Sequence, residues 1–551
     1  MRRRAFLQSG PLAAAGALVR VSGAVAGQSR ITTPMPTVSV ETTLGRVRGY
    51  IDSRINSFRG IPYAASTAGA NRFLPPQKAP PWTGVREAIE LGHRAPQLDN
   101  PRVPEWFVMD RTEPQGEDCL VVNVWTPGLS DNGRRPVLVW LHGGGFTGGS
   151  NGFTAYDGAN LARKHKVVVV GVNHRLNAFG FLYLGDIAGE KYSRGNVGML
   201  DIVAALQWVH DNIERFGGDP NLVTVFGQSG GGSKVSTLLG MPAAKGLFHR
   251  AYAMSGSQVR SIDRDQATRT ARAWLAKLNV SPNNLTQLQD IPMRKLRAAL
   301  AVAETGLGWG PVVDGRTLPA HPFDPVATEI SSDVPLMIGS TETEQTWNAT
   351  QLYDPLTDTE LRDDVAQVLR SDESAAQRVI DVYKRNRPRA SNLDVYLLIA
   401  TDASNFRTGT DTQADRKGAQ GKAPVFKYYF QWYSPVRGGM LRSMHTMDVP
   451  FVFYNHEVAQ SELGSGPDVV PIADKMSTTM IAFAKTGNPD NPMIPHWPAY
   501  TASQRPTLVW NSDVKVVNNP YGEEKAAVAA ARGSGSGRGR QTDRVGSSVA
   551  G

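Results

Sequence analysis

Leu222-Val223-Thr224-Val225-Phe226-Gly227-Gln228-Ser229-Gly230-Gly231-Gly232 is the stretch on which the fold turns. Its first half is continuously apolar and rich in β-branched residues, as in a strand covered on both faces. A serine set among glycines follows, and then a helical stretch. A strand that turns sharply into a helix has no room for side chains on either side of the turn, and the residue at its tip is held with its side chain exposed. The helix begins at the serine, so its first amides face any negative charge that develops there. A phosphate-binding loop would also be glycine-rich, but it would end in Gly-Lys-Ser/Thr, which this segment lacks.

Upstream, the apolar run Val137–Leu141 leads directly into His142-Gly143-Gly144-Gly145-Phe146. Successive glycines let backbone amides approach a substrate oxygen closely. An H-G-G-G run ahead of G-x-S-x-G is the pairing that builds an oxyanion hole in ester-cleaving enzymes. Further apolar runs occur at Val167–Val172, Val334–Ile338 and Val425–Phe430, and Met199–Phe216 has helical periodicity. Strand-like runs alternating with helical ones predict an α/β protein with a large, mostly parallel central sheet flanked by helices. There is no internal repeat and no linker-like composition within the body, so residues 27–524 are expected to form one large domain.

The ends differ from the body. The chain has 551 residues and a net charge of +9. Arg2, Arg3, Arg4 and Arg20 at the start and the basic excess of residues 525–551 account for nearly all of it, so residues 27–524 are close to neutral and no nucleic-acid surface is implied. Arg3-Arg4-Ala5-Phe6-Leu7-Gln8, the apolar run Pro11–Val19 and Ala24-Val25-Ala26 read as a twin-arginine-type signal over residues 1–26, which predicts export to the periplasm or the medium. No other segment is apolar enough to span a membrane, so no stable insertion is expected after the signal is removed. Residues 525–551, rich in Ala, Gly, Ser and Arg, are expected to be a disordered tail. The single cysteine, Cys119, cannot form an internal disulfide and reads as a small buried apolar residue.

With these motifs in place, the sequence resembles the type-B carboxylesterases, the family of the cholinesterases and para-nitrobenzyl esterases within the α/β-hydrolase superfamily. The resemblance spans about residues 37–511. It includes Phe58-Arg59-Gly60-Ile61-Pro62-Tyr63-Ala64, Glu117-Asp118-Cys119-Leu120, Asn173-His174-Arg175-Leu176, Phe216-Gly217-Gly218-Asp219-Pro220 and Pro311-Val312-Val313-Asp314-Gly315. It implies the α/β-hydrolase fold and a catalytic Ser229, Glu344 and His445. It also implies oxyanion amides from Gly144, Gly145 and Gly230, and a buried supporting serine, Ser255. His445 precedes Asp448 and Phe451-Val452-Phe453; from the residues alone it would be one of ten histidines without distinction.

The chain departs from the family pattern at several places. Gln228 replaces the usual glutamate before the nucleophile, Thr343 and Gln345 flank Glu344 in place of Asp and Gly, and Ala95 replaces the first disulfide cysteine, leaving Cys119 unpaired. Lys234 stands where a small residue is common, and is read either as the partner of a buried acid or as a surface lysine at the helix edge. Glu342 and Glu344 share the loop after Gly339. If that loop is extended both point the same way, and pattern alone does not choose between them.

The expected activity is hydrolysis of a small-molecule carboxylic ester through an acyl-enzyme intermediate. No zinc-type Cys/His spacing and no Walker motif is present, so neither a metal nor another cofactor is expected. An amide or carbamate hydrolase on the same triad is the alternative, since the acylation chemistry is shared; a non-catalytic binding module on the same scaffold is a third reading. Phe146, Leu307, Trp309 and Trp347 are the expected substrate-pocket residues, with Gly306 and Gly308 leaving room for a bulky acyl group.

Overall fold

The apolar runs become neighbouring strands of one twelve-stranded sheet. In chain order they are β1 (Met35–Pro36), β2 (Tyr50–Asp52), β3 (Ile55–Pro62), β4 (Val121–Thr126), β5 (Arg135–Leu141) and β6 (Val168–Val172). Then come β7 (Gly218–Gln228), β8 (Arg250–Met254), β9 (Leu336–Thr341), β10 (Val425–Phe430), β11 (Pro506–Trp510) and β12 (Lys515–Asn518). Their order across the sheet is β1-β2-β3-β4-β6-β5-β7-β8-β9-β10-β11-β12. From β6 through β11 every neighbouring pair is parallel, and only the two margins are antiparallel. The computed structural model describes residues 35–98, 113–189, 192, 195–300, 308–348 and 355–532, except the side chains of Trp347 and Asn348. The expected signal at 1–26 and the last residues, 533–551, lie outside these.

Parallel strands need crossover connections, and these put helices on both faces. Side chains therefore alternate between two cores. Val137, Val139 and Leu141 of β5 pack with Ile202 and Leu206 on one side. Leu138 and Trp140 pack with Phe226 and Phe453 on the other. The helix expected over 199–216 is α1 (Val197–Asn212), followed by a tighter turn at Ile213–Phe216 that ends at the left-handed Gly217. The run at 334–338 begins its strand two residues later and continues through Gly339 to Thr341. Pro335, with no amide to donate to a ladder, stays ahead of it.

The tail boundary is a correction. Residues 525–531 belong to a helix, Gly522–Ala531, with Val528 and Ala531 buried. Lys525 Nζ donates to Asp411 Oδ2 at 3.1 Å and Tyr429 Oη at 3.2 Å. The composition reads as coreless because alanine dominates, yet alanine is the strongest helix former, and Val528 and Ala531 join a buried helical cluster while Glu524 pairs with Arg387 at 3.0 Å. Cys119 is fully buried and unpaired, and burial pushes its thiol up. Among the described residues no helix is long and apolar enough to cross a membrane.

Candidate active site

Ser229 stands between the end of β7 and α2 (Gly230–Leu238), with φ 57° and ψ −126°. A non-glycine residue reaches this region only when its surroundings impose it. Here the Ser229 amide is tied to the Met254 carbonyl of β8 at 2.9 Å, while the side chain stays partly exposed. Gly230 shows why the turn needs glycine. A Cβ there would lie 2.2 Å from the Gly145 oxygen and 2.4 Å from its nitrogen. The start of α2 is thus pressed directly against the His142–Phe146 loop.

That loop takes left-handed conformations at Gly144 (φ 88°) and Gly145 (φ 60°). It closes on itself through Thr147 and Gly148, whose amides donate to the Gly144 oxygen at 3.2 and 2.9 Å. Among the described residues the amides of Gly144 and Gly145 donate to no acceptor. The Gly230 amide is a first-turn donor, which a helix leaves unused by construction. Gly145 and Gly230 meet at this point, with Gly144 next in the loop.

The acid and the histidine come from two loops held in parallel register. Thr343 bridges Met444, and the Thr343 amide donates to the Ser443 carbonyl at 3.1 Å. The next residue on each chain is Glu344 or His445, so the register alone puts them side by side. His445 Nδ1 donates to Glu344 Oε2 at 2.5 Å. Glu344 Oε1 accepts from Ser255 Oγ at 2.6 Å and from the Thr341 amide at 2.7 Å. Glu344 is fully buried. Burial pushes its carboxyl up, but attraction to His445 and these hydrogen bonds outweigh that and hold it below the usual range. With Nδ1 as the donor, the lone pair of His445 falls on Nε2.

Glu342 goes elsewhere. Its carboxylate pairs with Arg387 Nη1 at 2.8 Å and accepts from Gln431 Nε2 at 3.2 Å. The loop is not extended: a tight helical turn starts at Glu344, so the two side chains diverge.

Gln228 touches the imidazole. Its Nε2 lies 3.1 Å from His445 Nε2 and 3.4 Å from Nδ1. Near-equal distances to both ring nitrogens put the amide over the ring face, which leaves the in-plane lone pair of Nε2 open. Phe406 covers the ring as well, with centroids 4.6 Å apart at 43°. Among the described residues Ser229 Oγ makes no hydrogen bond; catalytic hydrogen bonds are often loose before substrate binds.

Several contributors gave no sequence signal. Arg407, an isolated arginine in the polar-looking helix Asn405–Ala419, is buried and donates to Ser340 Oγ at 2.9 Å and the Thr341 carbonyl at 3.0 Å. It thereby holds the far side of Thr341, the residue whose amide donates to Glu344. Phe406 gave none either. Asp448, read only as a motif marker, is fully buried, accepts from Tyr428 Oη at 2.8 Å, and is pushed up to about 7 by burial.

The pocket residues fare unevenly. Phe146 is buried beside Gly145 and packs edge-on against Phe181 at 5.2 Å. Trp309 packs against Trp274 at 6.1 Å. Leu307, Gly306 and the Trp347 side chain lie outside the described residues. Gly308 is exposed, and a Cβ there would meet nothing within 4 Å among the described residues; a Cβ at Gly310 would face Phe146 and Ile262 at 3.4 Å.

Helices on both faces of a mostly parallel sheet, with a strained serine at a strand–helix turn, define an α/β-hydrolase. Residues 36–528 match the Carboxylesterase family, and the chain belongs to it. It is a carboxylic-ester hydrolase. It is 34% identical over 507 residues to the para-nitrobenzyl esterase of Bacillus subtilis, a match covering 90% of this chain and 99% of that one. The crystal structure of the Geobacillus stearothermophilus carboxylesterase EST55 is similar at a TM-score of 0.76 and 38% identity, covering 89% of this chain and all of that one. An esterase from Clostridium hathewayi that can hydrolyse aliphatic aromatic polyesters is similar at a TM-score of 0.79 and 32% identity, covering 91% of this chain and 100% of that one.

Proposed function

We propose that this esterase works on small-molecule carboxylic esters through an acyl-enzyme on Ser229. His445 Nε2 takes the hydroxyl proton as Ser229 Oγ attacks the ester carbonyl. The carbonyl oxygen, now negative, accepts from the amides of Gly144, Gly145 and Gly230. The carbon–alkoxy bond then breaks, and the departing alcohol leaves with the proton from His445. Water repeats the sequence on the acyl-enzyme and frees the acid and Ser229. Glu344 fixes the imidazole tautomer and balances its charge.

The observation that carries this reading is the buried Glu344–His445 hydrogen bond of 2.5 Å, with the other Glu344 oxygen held by two further donors and the imidazole in contact with Gln228, the residue before the strained Ser229. The test is labelling by a fluorophosphonate followed by peptide mass spectrometry. The label is expected on Ser229, and Ser229→Ala protein of unchanged fold is expected to lose labelling and turnover. Substantial ester turnover by that variant would remove the proposal.

A further inference from the structure

Lys234 is neither the partner of a buried acid nor a surface residue. It is fully buried in the body of α2, and its Nζ donates to the His142 carbonyl at 2.9 Å. The ring of Phe146 lies 5.8 Å from the ammonium. No hydrogen bond or ion pair joins Lys234 to a carboxylate among the described residues. Burying a cation with a single carbonyl as partner is costly, and the hydrolytic steps above make no use of it.

Its position suggests a use. The oxyanion donors come from two pieces of chain: the glycine run of the loop, and the start of α2. A glycine run has no side chains with which to hold itself, and it loses more conformational freedom on ordering than any other segment. Lys234 grows from the helix that begins at Gly230 and grips the carbonyl of the residue just before that run. One side chain thus ties both donor sets together and puts a positive charge behind them.

We propose that Lys234 is a positioning residue for the oxyanion hole: its ammonium fixes the His142–Gly145 loop against the start of α2, and its charge adds to the potential that stabilises the oxyanion. This rests on the Ser229 reading above. Burial lowers the Lys234 ammonium to about 7, so its charge is lost near neutral pH. Its charge is felt by the neighbouring His174. His142 and His174 stack at 5.0 Å, and burial, then the Lys234 charge, hold His174 well below its usual range. Asp201 is taken up by Arg175, at 2.6 and 2.8 Å. Tyr63 and Cys119 are pushed up by burial, away from neutral pH.

The experiment compares wild type with Lys234→Met and Lys234→Arg, using a soluble aryl ester between pH 6 and 9.5. A direct oxyanion donor is worth ~10²–10³ in rate, so a residue acting through the loop is expected to cost about 10–100-fold in kcat/KM below pH 7, with KM changing little. Wild-type kcat/KM should decline as pH rises through about 7, where the ammonium loses its proton. Lys234→Met should lack that limb, so the gap between the two narrows at high pH.

A trifluoromethyl ketone, whose serine adduct carries the oxyanion, should lose affinity in parallel. The corresponding methyl ketone should not. Because the buried cation is itself a burden on the fold, the Tm of Lys234→Met is expected to be unchanged or higher, which simple structural damage would not produce. Lys234→Met activity within twofold of wild type at pH 6.5, or a wild-type profile flat from pH 7 to 9.5, overturns the proposal; the second result decides even if the variant does not fold. Failure of a fluorophosphonate to label Ser229 in wild type would instead refute the underlying triad.

Discussion

Glu344→Gln tests the site at its most constrained atom. The carboxylate accepts three hydrogen bonds: two on Oε1, from Ser255 and the Thr341 amide, and one on Oε2, from His445. Glutamine offers one accepting oxygen and one donating nitrogen. Two donors converge on the Oε1 side, so the amide oxygen settles there and the NH2 group faces His445. The imidazole must then accept at Nδ1 and carry its proton on Nε2, where it cannot take one from Ser229. The same change of tautomer in the serine-protease triad lowers kcat about 10⁴-fold. That is about 5 kcal/mol at roughly 1.4 kcal/mol per tenfold. The fold should suffer little, since the hydrogen-bond count survives and a buried charge is removed. Glu342→Gln is the paired control. Its carboxylate serves Arg387 and Gln431, away from His445, so kcat should stay within a few-fold. The assay is kcat on a para-nitrophenyl ester at pH 8, with circular dichroism to confirm folding. A Glu344→Gln enzyme within tenfold of wild type would refute the tautomer argument, and a large loss in Glu342→Gln alone would move the acid there.

Two further outcomes follow from the same geometry. Gln228→Glu puts a carboxylate against the face of His445 and favours its charged form, so the acidic limb of kcat/KM should move to higher pH; an unmoved limb would deny position 228 any electrostatic role. Arg407→Met removes the clamp on the Thr341 carbonyl and leaves Asp402, which Arg407 Nε contacts at 3.0 Å, without its cation. Breaking a buried pair costs about 3–5 kcal/mol, so the fold should be destabilised by that order in urea titration. In the protein that remains folded, kcat should fall while KM holds, because Thr341, whose amide anchors Glu344, is no longer held at its carbonyl; an unchanged kcat would confine Arg407 to a structural role.

Much of this protein is a matter of local sequence. The apolar run ending at Phe226, the glycines around Ser229 and the glycine run after His142 each encode their conformation within a few residues, because strand burial, a sharp turn and close backbone approach impose residue types at fixed short spacing. Hence the fold class and the nucleophile could be read directly. The choice of Glu344 over Glu342 could not, for it depends on the Thr343–Met444 register, which joins loops about a hundred residues apart and rotates one carboxylate toward His445 and the other toward Arg387. Lys234, Arg407 and the docked helix at 522–531 were hidden for the same reason. A side chain's burial and its partners are properties of the packed chain: a lysine in a helix looks the same in sequence whether it meets water or the carbonyl of His142.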